Sequence, residues 1–405
     1  MNADVVVVGA GMLPFGQYAD RSLSDLSRDV IWETIHDAGI DPHLIDIGYA
    51  ANCYHGFFTG QVDAIAPLVF RYAGLGGFPM IHVSGGSGSG LVAFHDAALA
   101  VASGQYRMGL VVAVEKQYVP GDPARSISAI ATSGEQRVAL EMGLTWVGDL
   151  GMGARRLMRR YGWTAEDFAL VVEKNRRHGA LNPKAEIQQE ISAADVLAAR
   201  MVAEPLTRPM CSSAAVDGAA ALLVCTAETA RRHVPGDHPR LAAMSFKGGR
   251  YTRNEDADTI PGMISMNEAP EAFAEAFERA GAGPEDLELA QIHDAIAPEE
   301  LLSYQVMGLC EPGGEPALLR SGATAIGGRV PVNTDGGLLA RGHAIPVTGV
   351  AQIYETVIQL RGDAGARQVT HDGRPPRLAA VQNAGAQGGP GKGGVAVSGA
   401  LLFAT

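Results

Sequence analysis

Apolar residues in this chain recur in two rhythms. Runs such as Val5 to Val8 and Gly109 to Val114 (GLVVAV) have no polar face, whereas Ser22 to Ala38 carries its apolar residues at helical spacing. The first rhythm predicts buried strands at Asp4 to Val8, Ile47 to Asn52, Met80 to Val83 and Gly109 to Val114, with Gly9-Ala10-Gly11 as the exit of the first. The second predicts helices at Ser22 to Ala38, capped by Ser22 or Ser24 and stopped by Gly39, and at Gln61 to Tyr72. Leu91 to Ala102 (LVAFHDAALAVA) has only His95 and Asp96 polar and predicts a helix buried nearly all round. Fully apolar strands alternating with helices define an α/β unit whose largely parallel sheet is covered on both faces.

Residues 117 to about 205 break this rhythm. Helical stretches at Glu135 to Met142, Met152 to Tyr161 and Ala165 to Arg177 predict an inserted helical lid. The strand Ala219 to Thr226 completes the first half, and a second α/β half follows. It has strands at Leu241 to Lys247, Leu287 to His293, Val330 to Asn333, Leu378 to Gln382 and Gly394 to Phe403, with helices at Ala269 to Ala280, Pro298 to Met307 and Val347 to Leu360. In both 80–114 and 330–382 a strand leads through a Gly-rich turn into a long helix and an apolar strand. The expected organisation is an N-terminal half (1–116 and 206–235), an insertion (117–205) and a C-terminal half (236–405). The two halves should be pseudo-symmetric, with a site where their Gly-rich turns meet.

Composition sharpens this picture at a few points. At 405 residues the chain is too long for one ordinary core. A net charge of −12 argues against nucleic acid as the main partner. The 51 glycines, against a usual share of roughly 7%, cluster at 85–90, 148–153, 334–349 and 385–394, where close backbone approach or a cradled ligand is expected. Cys53, Cys211, Cys225 and Cys310 lie far apart without a CxxC pair, so neither a metal site nor a disulfide frame is expected. With no secretory signal and no run of the ~18 apolar residues a membrane span needs, a cytoplasmic protein is expected. Pro14 stands where a dinucleotide fingerprint would need its third glycine.

The stretch Val83-Ser84-Gly85-Gly86-Ser87-Gly88-Ser89-Gly90 carries the first candidate chemistry. Between a short strand and a buried helix it sets Ser87 near a helix N-terminus, where unpaired N–H groups favour an anion or an activated nucleophile. Its composition alone also fits a flexible connector. The basic cluster Arg155, Arg156, Arg159, Arg160, Lys174, Arg176 and Arg177 is either a solvated helix face or a site for a phosphate-bearing ligand tail.

Taken together, ordered stretches along nearly the whole chain resemble the thiolase superfamily, in particular sterol-carrier-protein-x type thiolases and lipid-transfer-protein homologues. They are the Ser87 turn, Gly104-Gln105-Tyr106-Arg107 with Val112 to Lys116, Lys174-Asn175 with His178 and Asn182-Pro183, and Asp217-Gly218-Ala219-Ala220. His293-Asp294, Asn333 to Gly337, Gly342-His343 and Gln359 to Gly362 complete the set. The resemblance implies a thiolase-like α/β fold: two pseudo-symmetric halves with mixed sheets layered between helices, and a helical insertion. In the family the turn carries a nucleophilic cysteine that takes an acyl group from a CoA thioester; here Ser87, native or introduced, stands in its place. The difference matters, because a thiol of reference pKa near ~8.5 becomes a thiolate beside a helix terminus and a histidine, whereas a hydroxyl needs a general base during attack. The loop Gln382 to Gly389 also lacks the second cysteine that many thiolases carry.

Further roles follow from the resemblance. His343 matches the histidine of a Gly-His-Pro motif that activates the nucleophile and helps form an oxyanion hole, with Ala344 in the proline's place; its alternative is a packed loop histidine. His293 matches the residue that orients a water or donor toward the thioester oxygen, or else is a strand-end histidine beside Asp294. His55, after the second strand, is a weaker candidate for the same pocket, and its neighbour Cys53 reads as a buried apolar residue. Gly337, Gly385 and Gly388, with Arg155 and Arg159, are the candidates for holding CoA, as substrate rather than tightly bound cofactor. The implied activity is acyl transfer with carbon–carbon bond formation or cleavage. The alternatives are a non-covalent retro-aldolase or decarboxylase, although the tyrosine such homologues place near the glycine–histidine loop is absent, and a non-catalytic subunit. A homodimer built on helices 89–103 and 347–361 is expected, with a small OB-fold, zinc-ribbon protein as a further partner.

Overall fold

The structure, a computed structural model, describes residues 4–132, 141, 143, 145–213, 215–249, 268–387 and 395–405. Its strands are β1 (Val5–Met12), β2 (Ile47–Ala51), β3 (Met80–Val83), β4 (Met108–Glu115), β5 (Met201–Ala203), β6 (Leu206–Thr207), β7 (Gly218–Thr226), β8 (Arg240–Lys247), β9 (Leu289–Gln291), β10 (Leu378–Gln387) and β11 (Val395–Ala404). Nine of them form one mixed sheet in the order β3-β2-β4-β7-β1-β8-β11-β10-β9. The halves join where β1 meets β8 at Val6 and Arg240.

The pairing pattern repeats from one half to the other. From β1 outward the pairs run antiparallel, antiparallel, parallel and parallel. From β8 outward they run antiparallel, antiparallel and parallel, and a parallel bridge between Ala290 and Val332 takes the fourth place. The strand expected at Val330 to Asn333 is therefore reduced to that bridge.

The central strands divide their side chains between two cores, as a period of two requires. Val5 and Val7 of β1 enter a central cluster, and Val6 and Val8 an outer one. Leu401 and Phe403 of β11 join the same central cluster, while Ala400 and Leu402 face a third. Burial on both faces is why these strands are apolar throughout. Gly9-Ala10-Gly11 lies inside β1 rather than at its exit: a side chain on Gly9 would stand 2.7 Å from the Thr34 carbonyl of the Leu23–Ala38 helix. That helix has the predicted cap, with Ser22 and Asp25 bonding reciprocally and Gly39 left-handed at its end.

Helices Ser89–Ala102 and Thr348–Arg361 occupy the central layer. They meet at their N-termini, where a Cβ on Gly90 would lie 2.6 Å from the Pro346 carbonyl and one on Gly349 2.7 Å from the Leu91 nitrogen. The first of them is not buried all round: Leu99 is 42% exposed. The insertion holds helices Pro123–Ala131, Trp146–Tyr161, Ala165–Ala180 and Ala193–Ala198; the helix expected at Glu135 to Met142 falls largely outside the described residues. Leu150, Leu157 and Phe168 of the insertion share one core with Phe273, Leu301 and Tyr304 of the C-terminal half.

Candidate active site

The apposed N-termini of the two central helices bring Ser87 and His343 together across 256 positions of sequence. Ser87 lies in a 3-10 turn, Gly86–Gly88, which runs directly into the helix beginning at Ser89. The buried Ser89 hydroxyl stitches this turn, accepting from the Gly85 N–H (2.8 Å) and donating to the Gly86 carbonyl (2.6 Å). Gly385 of β10 presses against it: a Cβ there would overlap the Gly88 amide nitrogen and lie 2.6 Å from the Gly85 carbonyl.

Ser87 Oγ stands 3.4 Å from His343 Nε2, and His343 Nδ1 2.8 Å from the Thr348 hydroxyl. His343 is buried; burial first, then the neighbouring His293 and Arg341, hold its pKa well below the usual histidine range, so the ring is neutral. The His293 ring stands edge-on to it with centroids 5.3 Å apart. His293 Nδ1 lies 3.3 Å from Glu299 Oε2, and its backbone N–H donates to Gln382 Oε1 at 3.0 Å. Its Nε2 is buried without a partner among the described residues. The site thus offers a hydroxyl, two imidazole Nε2 atoms and a helix N-terminus, a set suited to an oxygen that gains negative charge during reaction.

Other candidates sit differently. His55 begins a short helix, His55–Thr59, with its Nδ1 buried and without a hydrogen-bond partner among the described residues and its pKa lowered by burial; its backbone N–H donates to Asn52 Oδ1 at 3.3 Å, away from the Ser87–His343 pair. Cys53 packs behind the turn, its sulfur 3.1 Å from Ser89 Oγ, and burial raises its thiol pKa. Gly337 has φ +60°, and a Cβ there would overlap the Asp294 carboxylate, which accepts from the Leu338 N–H at 2.7 Å. That carboxylate and the positive φ are what require a glycine here. Arg155 pairs with Glu204 at 3.3 Å on the surface, and Arg159 is exposed; neither contacts the Ser87 site. Gly388 falls outside the described residues.

Thr348, Glu299, Gln382 and Gln117 hold the two histidines yet escaped the reading of the sequence. Glu299 accepts from the Ile296 N–H at 3.4 Å near the start of its helix, but isoleucine has no side-chain acceptor, so no capping box marks it in the sequence. Gln382 and Gln117 act on histidines 89 and 226 positions away, and Thr348, only five residues after His343, sits in no recurrent motif.

Such a paired-half fold, with the Ser87 turn and two histidines where its central helices meet, is that of an enzyme of thiolase type. The chain belongs to the thiolase family: the thiolase N-terminal domain matches residues 5–228 and the thiolase C-terminal domain-like model residues 249–390. It is 34% identical over 366 residues to an acetyl-CoA acetyltransferase of Methanothermobacter thermautotrophicus, covering 90% of this chain and 93% of that protein. Benzoylsuccinyl-CoA thiolase subunit BbsB of Thauera aromatica is 33% identical over 367 residues, covering 90% and 91%. Among solved structures, the Ltp2-ChsH2(DUF35) aldolase superposes with a TM-score of 0.79 at 26% identity, covering 99% of this chain and 98% of that one.

Proposed function

We propose that the protein is a thiolase-type acyltransferase acting on an acyl-CoA or β-ketoacyl-CoA thioester, forming or cleaving the carbon–carbon bond next to the thioester carbonyl. The reading rests on the convergence of Ser87 Oγ, His343 Nε2 and the unpartnered His293 Nε2 at the helix N-terminus. In the covalent route Ser87 Oγ attacks the thioester carbonyl and its proton passes to His343. The CoA sulfur leaves, taking that proton, and an acyl-serine remains for the acceptor carbanion. His293 Nε2 and the turn face the oxyanion; losing one such donor typically costs about 2.7–4 kcal/mol of transition-state stabilisation.

A second reading, carbon–carbon cleavage without a covalent intermediate, has an observation in its favour. His343 Nδ1 meets the Thr348 hydroxyl, not a carboxylate, and its surroundings disfavour the imidazolium that serine activation requires. Likeness to the Ltp2-ChsH2(DUF35) aldolase points the same way and supports a partner protein, which the family resemblance implies to be of OB-fold, zinc-ribbon type. A homodimer is supported by the edge strand β3, where Ile81 is 38% exposed, and by the exposed Leu99 of the helix Ser89–Ala102; the helix Thr348–Arg361, also expected at the interface, is buried within the chain from Thr348 to Leu360.

Intact-mass measurement after incubation with acyl-CoA donors tests the covalent route. Acyl transfer through Ser87 gives an adduct on the native chain and none on Ser87→Ala, which is then inactive. An adduct-free native chain and an active Ser87→Ala, with an aldehyde or ketone released from a β-hydroxyacyl-CoA, would establish the second reading. Full activity in both His343→Ala and His293→Ala would remove both.

A further inference from the structure

Gln117 lies two residues beyond β4, in the half that carries Ser87, and is completely buried. Its side-chain Nε2 donates to the carbonyl of His343 at 2.8 Å, and its Oε1 accepts from the N–H of Ile345 at 3.1 Å. One amide therefore grips the main chain on both sides of Ala344, in the other half of the molecule. The loop it grips has no regular secondary structure around His343, and Gly342 before it has φ +112°. Besides that grip, the loop is held by Glu186 N–H to the Arg341 carbonyl and Val347 N–H to the Ala344 carbonyl, and the ring by Thr348 and the edge of His293; Gln117 is the side chain that bonds the main chain on both sides of Ala344.

We infer that Gln117 is the positioning residue for His343: its two-point clamp fixes the loop so that Nε2 faces Ser87 and His293. The inference rests on the proposed role of His343. A hydrogen-bonded pair already 3.4 Å apart leaves no slack, and a misplacement of about 1 Å at such a site costs up to ~100-fold in rate.

The geometry also supplies its own rescue. Ala344 has φ −75°, within the range a proline ring imposes, and its N–H donates to no protein acceptor among the described residues. Ala344→Pro should stiffen the loop covalently where the clamp holds it non-covalently.

Steady-state kinetics of folded variants, checked by circular dichroism, tests this. Gln117→Met should lower kcat about tenfold or more with KM within about twofold, and adding Ala344→Pro should recover most of that loss. Should Gln117→Met not fold, Gln117→Glu carries the test, because it keeps the acceptor for Ile345 and removes the donor to His343. Unchanged kcat in these variants, or a loss that Ala344→Pro does not recover, overturns the clamp. His343→Ala separates the two layers: if it is fully active the role of His343 falls, whereas an inactive His343→Ala beside a fully active Gln117→Met leaves that role intact and removes only the clamp.

Discussion

Gly385 shows how sharply a single residue limits this site. Its Cα lies so close to the Ser87 turn that any side chain would collide with backbone, which has no rotamer to give. Gly385→Ala should push β10 away from the turn and lower kcat at least about tenfold, where Gly74→Ala, at an open left-handed turn, costs only stability; paired kinetic and thermal-melt measurements check this. The buried histidines carry a pH prediction. His178, boxed between the Asn333 carbonyl and the Ile326 N–H, is driven down to about 3 by burial and Lys174, and His343 is lowered as well. Both stay neutral in the fold while the unfolded chain takes up protons below about pH 6.5, so the unfolded state binds more. Stability is therefore full above about pH 6.5 and falls below it, by up to about 1.4 kcal/mol per pH unit for each group until its folded pKa is reached. The buried carboxylates Glu115, raised to about 7, and Asp294 act in the opposite sense over the same range, so the histidine contribution is read as a difference: between pH 7 and 5, His178→Gln should lose less urea-unfolding stability than the wild type, by close to one proton's worth.

At the scale of elements, the central helix Ser89–Ala102 is the informative case. Its composition predicts burial all round, and the structure buries Leu91, Phe94, Ala98 and Val101 but leaves Leu99 exposed. Hydrophobicity alone does not say whether a residue is covered by its own chain or by another. If β3 and this helix form the proposed dimer surface, Ile81→Lys with Leu99→Glu should convert a dimer to a monomer in light scattering. A wild-type chain already monomeric would refute the proposal. The strands were legible because two-sided burial leaves a continuous apolar run. Val330 to Asn333 forms only a bridge because Asn333, after donating its N–H to the Ala290 carbonyl, turns left-handed with φ +54° and so ends the extended backbone.

For the molecule as a whole, a buried charged network ties the insertion to the C-terminal half. Lys174 of the insertion pairs with Glu300 at 2.9 Å and donates to the Val332 carbonyl at 2.8 Å. Asn175 bridges Asp294 and Glu300 at 2.9 and 2.7 Å, and Arg341 pairs with Asp335 close by. Burial and the adjacent Glu300 raise the pKa of Asp294 well above its usual range. Removing one partner of such a pair strands the other, so Lys174→Met should cost about 3–5 kcal/mol in equilibrium unfolding. A larger, shape-matched replacement of the whole network with apolar residues should cost much less.

The sequence alone determined the class of fold, most element positions and the strand–turn–helix that carries Ser87, because local periodicity and glycine placement respond to burial and backbone shape that neighbours along the chain already dictate. It also supplied Ser87, His343 and His293 as candidates through resemblance. Which candidates share a site was decided only in three dimensions. Arg155 and Gly337 belong to a surface pair and to the Asp294 carboxylate, whereas Gln117, Thr348 and Glu299 hold the histidines without any local pattern that announces it. The reason is physical: an apolar run reports how much of itself is buried, but a hydrogen bond between Gln117 and the His343 carbonyl, 226 positions away, exists only once both halves have packed.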